Sequence, residues 1–167
     1  MTSMMPHESA VKKKVKARLY KDKPLISISL NEFEKPGSDY FVNLRRFCIS
    51  FGLVSPGESR IGIVHILDIL LKQRTKKKDG LDSYEIIKGL YSKNIRIVYA
   101  NVLRDLRKLL AVGLVEKRGN NYRIRENLPL KEVVSNFVQP YLINRVVSRI
   151  NEYADAIDKS LTSQKAA

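Results

Sequence analysis

The chain has 167 residues, a net charge of +14 and an isoelectric point near 9.9, so a polyanionic partner is expected, nucleic acid first and an anionic membrane surface second. Apolar residues make up 44%, enough for a packed core in one domain of ordinary size or in a smaller one with arms. Cys48 is the single cysteine, no apolar stretch nears the length of a membrane span, and the basic N-terminus leads into no apolar run; disulfide-built, membrane-spanning and secreted classes are therefore not expected, and a cytoplasmic or nucleoid-associated intracellular protein is.

Residues 1–23 hold seven Lys/Arg against Glu8 and Asp22 and read as a flexible basic arm, with Lys12, Lys13 and Lys14 as candidate phosphate contacts. Residues 25–30, LISISL, alternate and predict a short strand. After the turn at Lys35–Ser38, residues 39–52 predict a helix capped by Ser38 or Asp39. Its inner face is Phe41, Leu44 and Cys48, with Phe47 and Phe51 beside it, and Cys48 reads as a buried inert thiol. Ser55-Pro56-Gly57 is a break. Residues 24–58 thus form an N-terminal extension of strand plus helix, which either enlarges the core or offers a surface to a protein partner.

A domain is expected over 59–127. Residues 60–73 are apolar almost all round, as in the central helix of a small domain, with His65 read as a core residue and Asp68 as a paired or partly exposed one. The run Lys72–Lys78 places Lys76, Lys77 and Lys78 before the Asp79-Gly80 turn as possible phosphate contacts. Asp82 and Glu85 have the spacing of a capping box, and Leu81 and Ile86 that of a hydrophobic staple, so a short helix starts at Ser83 and closes at Ser92–Asn94. A longer helix follows over about 95–112, with Ile95, Val98, Val102, Leu103, Leu106, Leu109 and Leu110 as its apolar stripe and Gly113 as its stop. Residues 114–125 predict a β-hairpin with a Gly119-Asn120-Asn121 tip.

Residues 131–161 predict a long helix interrupted at Pro140. Beyond the proline, Ile143, Val147, Ile150, Ala154, Ile157 and Leu161 repeat at alternating steps of four and three, the seam of a helical homodimer. Residues 162–167 read as a disordered tail.

The expected fold class is mainly α with a small β-hairpin. Ser83–Leu90 resembles the second helix of PadR-like winged-helix regulators, and Leu106–Val115 resembles the L-x-x-L-x-x-x-G-L-V close of that family's recognition helix. Small archaeal, plasmid and viral winged-helix proteins share the pattern, which covers residues 60–127. The resemblance implies a winged helix-turn-helix with an N-terminal extension and a long C-terminal dimerisation helix, and a double-stranded DNA partner.

On that reading the third helix enters the major groove. Asn101 and Arg104 are the candidate base readers, since Asn pairs with adenine and Arg with guanine in bidentate fashion. Asp105 and Lys108 complete the outer face, flanked by Tyr99, Ala100 and Arg107, while Arg96, Arg107 and Lys108 suit phosphates. The wing offers Lys117, Arg118, Asn120, Asn121, Arg123 and Arg125 to the backbone or minor groove. Nothing supports catalysis: His7 and His65 stand apart, no glycine-rich phosphate loop occurs, and no metal-ligand spacing exists. No enzyme activity, cofactor or metal is expected. The expectation is a dimeric transcriptional regulator on a palindromic site; a replication, partition or architectural factor, or a protein–protein adaptor, would use the same fold.

Overall fold

A computed structural model describes residues 24–59, 61–77 and 79–165. The basic arm with Lys12, Lys13 and Lys14, and Lys78, lie outside the described residues. Helix α1 spans Tyr40–Ser50, α2 Gly62–Gln73, α3 Ser83–Tyr91 and α4 Tyr99–Ala111. Strands β1 (Val115–Arg118) and β2 (Asn121–Ile124) follow, then a 3-10 turn at Arg125–Asn127. The described residues end in helix: α5 Leu130–Val133, a π-helical stretch Val134–Ile143, and α6 Asn144–Lys165. The described residues are mainly helical with a two-stranded antiparallel hairpin, as the periodicity predicts.

The core is centred on α2, which is apolar on nearly every face and packs against α1, α3, α4 and β2. Val64, Ile66 and Leu67 are fully buried. Such a helix has no face left for water and must be surrounded. The core does not stop at residue 59 or 127. Leu44, Cys48, Ile49 and Val54 join it from the N-terminal side, and Val133 and Val138 from the C-terminal side. The N-terminal extension therefore enlarges the core through the inner face of α1.

Local chemistry sets the boundaries. The Asp39 carboxylate accepts from the Val42 amide at 2.7 Å and starts α1. The Asp82–Glu85 box is present in both directions, at 2.8 and 3.0 Å, and starts α3. Gly113 ends α4 at φ +76, where a side chain would be strained. Gly80 has a different duty. A Cβ there would lie 2.4 Å from the Tyr122 carbonyl, so the glycine lets the chain lie against β2, where Leu81 and Tyr122 exchange two backbone bonds of 2.9 and 2.7 Å.

Asp68 ties three segments together. It is buried and takes the Tyr40 hydroxyl at 2.9 Å, the Lys72 ammonium at 2.9 Å and the Lys93 ammonium at 2.5 Å. Burial works against its charge, but Lys93, Lys72 and Tyr40 outweigh it and hold the carboxyl below its usual range. Burial, followed by the bond to Asp68, pushes the Tyr40 phenol up to about 12. His65 stacks on Phe41 with ring centroids 4.9 Å apart. Burial, followed by the nearby Lys93 charge, lowers its pKa and so favours the neutral imidazole. Burial also raises the Cys48 thiol to about 12, so it is inert in the folded chain.

Three sequence expectations are corrected. Residues 25–30 form no strand. Ile26 and Ile28 do turn inward alternately, but the neighbours are helices and not a strand edge: Ile26 lines a cleft with Arg149 and Ile150 of α6, and Ser29 lies against Gly52 at the end of α1. Asn31 spends its amide and side-chain donors on the Ser50 and Ile49 carbonyls, at 3.0 and 3.1 Å, groups a helix end leaves unpaired. The helix expected from residue 95 begins at Tyr99. Asn94 sits at φ +57, and Ile95 and Ile97 are half-buried while Arg96 and Val98 are exposed, so the period there is two and not 3.6. Finally, Pro140 does not interrupt the C-terminal helix. The residues around it wind as a π-helix and the rod continues into α6, although proline removes a donor and crowds the preceding turn of an α-helix.

Candidate nucleic-acid interface

The candidate surface is built on α4. At 100° per residue, Val102, Asp105, Leu106 and Leu109 share one arc and are buried. Ala100, Asn101, Arg104, Arg107, Lys108 and Ala111 share the opposite arc and are exposed. Asn101, Arg104, Arg107 and Lys108 are thus brought together as expected. Arg96 is not on this helix but in the extended segment before it. It nevertheless lines, with Asn101 and Arg104, an open cleft of about 440 Å³ bordered by Ser59, Gly62 and His65.

Asp105 departs from expectation, being buried rather than on the outer face. Its position on the helix borders the exposed arc, so the helix alone does not place it. Gly62 comes so close that a Cβ there would lie 3.3 Å from the Asp105 carboxylate, and the start of α2 covers it. Arg104 Nε stands 3.5 Å from the carboxylate. Burial raises the Asp105 pKa, and the neighbouring Arg104 and Lys108 charges only partly offset that. Val98 departs in the other direction: expected inside, it is 69% exposed at the N-terminus of α4.

The N-termini of α3 and α4 meet at an aromatic pair. The Tyr84 and Tyr99 rings stack with centroids 5.6 Å apart, and Ser83 Oγ lies 3.2 Å from the Tyr99 hydroxyl. Both rings are largely exposed. Tyr84 was not among the residues singled out in the sequence. Its one available signal was an aromatic residue at the second position of a capped helix, off the apolar stripe. Lys77 reaches the same end of α3 through its ion pair with Glu85, while Lys76 stands exposed nearby.

The hairpin is in register with Val115 opposite Ile124, Glu116 opposite Arg123, Lys117 opposite Tyr122 and Arg118 opposite Asn121. Its tip turns at Gly119 and Asn120, with Gly119 at φ +58, as a two-residue hairpin turn requires. Lys117, Arg118 and Asn120 are exposed at this tip and Asn121 is half-buried. Lys117 also lies over the Tyr122 ring at 5.5 Å.

Two of the expected wing cations serve the fold. Arg123 is buried and bonds Glu116 at 2.7 Å across the strands. Burial opposes the Glu116 charge, but Arg123, the Glu126 amide and Arg118 hold its carboxyl below the usual range. Arg125 lies beyond β2, with its guanidinium 4.9 Å from the Phe137 ring. Strand alternation put both on the outside because it cannot anticipate a cross-strand carboxylate or the C-terminal rod.

The seam residues Val147, Ile150, Ala154, Ile157 and Leu161 all stand exposed along α6, while Ile143 packs partly against the core. No described helix is long and apolar enough to cross a membrane, and no group of His, Cys, Asp and Glu among the described residues could hold a metal ion. No family model, curated protein or solved structure matches the chain.

Proposed function

We propose that the chain binds double-stranded DNA as a dimer, with α4 as the recognition helix of a winged helix-turn-helix and the β1–β2 hairpin as its wing, and that it serves as a transcriptional regulator. The observation that carries this reading is the exposed arc of α4. It presents Asn101, Arg104, Arg107 and Lys108 together, with its one carboxylate, Asp105, turned inside. A solubilising surface mixes signs; this one does not. A helix about 10–12 Å across fits the major groove, where Arg104 and Asn101 would read base edges and Arg107 and Lys108 would meet phosphates.

The surrounding chemistry supports the same assignment. Val98 and the Tyr84–Tyr99 pair are apolar surfaces at the entering end of the helix, where a thymine methyl or a sugar would be contacted. No side chain caps α4, which leaves its first amides available to a phosphate. Arg96, Lys76, Lys117 and Arg118 flank the helix as backbone contacts. The PadR-like pattern at Ser83–Leu90 and Leu106–Val115 agrees with this arrangement.

Titrating labelled duplex over a salt series tests the proposal. If about six phosphates are neutralised, affinity falls about a thousandfold between 50 and 200 mM salt. A preferred sequence on top of that slope supports a regulator, whereas an equal slope on every duplex assigns an architectural role. Absence of binding at low salt would overturn the DNA reading and leave the fold as a protein-docking module.

A further inference from the structure

We infer that α6 pairs with the α6 of a second copy of this chain in antiparallel orientation, which rests on the dimer half of the proposal above and specifies its geometry. Val147, Ile150, Ile157 and Leu161 are 50–59% exposed along one line of α6. Residues Pro24–Ile26 leave an open cleft beside Ile150 and Tyr153, so none of the described residues covers the stripe. Most helical stability in proteins comes from packing of the apolar face, which α6 leaves open. The stripe is narrow, two positions in seven, which suits a partner helix of the same repeat and not a broad surface.

Three features set the direction. First, the spacing is palindromic. Reversing the helix about residue 152 sets Ile143 level with Leu161 of the partner subunit, Val147 with Ile157 of the partner subunit, and Ile150 with Ala154 of the partner subunit. The two central layers then place a large side chain against a small one. A parallel pair would put the two Ala154 methyl groups against each other and leave a void, which close-packed interiors avoid.

Second, the helix is polarised. Arg145 and Arg149 lie in its first half, while Glu152, Asp155 and Asp158 outnumber Lys159 and Lys165 beyond it. Arg149 bonds Glu152 within the helix at 2.6 Å, but the halves retain opposite signs. Antiparallel pairing about residue 152 sets Arg149 level with Asp155 of the partner subunit, although Arg145 then meets the level of Lys159 of the partner subunit; parallel pairing sets like against like at every one of these positions. Third, residues 24–143 carry a net charge of +8. A parallel pair would hold two such bodies side by side, whereas an antiparallel pair places them at opposite ends of the rod. That separation also spaces the two α4 helices for separate half-sites.

A nitroxide on Thr162→Cys distinguishes the arrangements, because Cys48 is fully buried and stays unlabelled. The antiparallel dimer puts the two labelled positions about 30 Å apart along the axis, at ~1.5 Å per residue from the dyad. A parallel pair puts them about 10 Å apart. The expected result is the long distance in a species of dimer mass by sedimentation, lost on Ile150→Asp. A short distance in a dimer would overturn the orientation and keep the dimer. Monomer mass would overturn the docking and the dimer with it, while DNA contact is read independently from the salt series.

Discussion

Helices α4 and α6 are both amphipathic, yet one has its apolar face sealed and the other does not. On α4, Val102, Leu106 and Leu109 are fully buried, and the charged arc is outside. On α6, Val147, Ile150, Ile157 and Leu161 remain half-exposed although their periodicity is more regular. The difference lies in position and not in composition. Helix α4 lies against α2, which is apolar all round; α6 runs off the end of the body after Ile143. A regular apolar face therefore says that something covers it, and chain position decides whether the cover comes from within. The charged faces carry the complementary message. The exposed arc of α4 has one sign and suits a polyanion. The faces of α6 carry both signs, divided by halves, and suit a reversed copy of itself.

The largest expected effect tests the contrast directly. Leu106→Ala removes a fully buried side chain and should cost about 2–5 kcal/mol in chemical denaturation, with the exposed arc of α4 untouched. Ile157→Ala should instead leave the unfolding of the body nearly unchanged and raise the dimer dissociation constant about tenfold or more. An equal loss of body stability from Ile157→Ala would mean that α6 finds its cover inside the chain.

A smaller effect separates cations that face outward from those that hold the fold. Arg104→Ala should cost about 1–3 kcal/mol in DNA binding and relax sequence preference at one position, while stability moves by less than about 0.5 kcal/mol. Arg123→Ala should do the reverse, lowering the melting temperature because Glu116 loses its closest partner, and leaving the salt slope unaltered. A uniform loss over all sequences for Arg104→Ala would reassign that residue to a phosphate.

The smallest effects are titrations, read from melting temperature against pH. His65 has a lowered pKa in the fold, so the unfolded chain takes the proton first and stability falls as pH drops below about 6.5. Asp68 and Glu116 are also lowered; their contribution is present above about pH 4 and disappears as acid protonates them in the fold. Tyr40 is raised, so its contribution is intact below about pH 10 and fades as pH rises toward 12. Asp68→Asn should flatten the most acidic arm, and a profile that keeps its shape would place the acid sensitivity elsewhere.

Much of this architecture was legible in the residues because short-range chemistry wrote it. The capping box at Asp82–Glu85, the Gly113 stop, the 3.6-residue stripe of α4 and the glycine-tipped hairpin each need only neighbours within a turn or two, and they agree with one another. The errors share a different origin. Ile95 and Val98 have the spacing of a helical stripe, but the left-handed turn at Asn94 hands the next four residues to an extended segment. Alternation in residues 25–30 is genuine, but a strand also needs an edge to pair with, and helices α1 and α6 were there instead.

By itself the sequence determined the caps that start α1 and α3, the glycine that stops α4, that α2 is central, and that α4 and α6 each carry an apolar stripe. Tertiary structure decided which polar groups face water. It buried Asp105 beneath Gly62 and the start of α2, turned Arg123 inward to Glu116, laid Arg125 beside Phe137, and gathered Tyr40, Lys72 and Lys93 around Asp68. The physical reason is range. Caps, stops and periodicity depend on bonds and contacts a few residues apart. The surroundings of a charged side chain depend on whichever segment the fold brings against it.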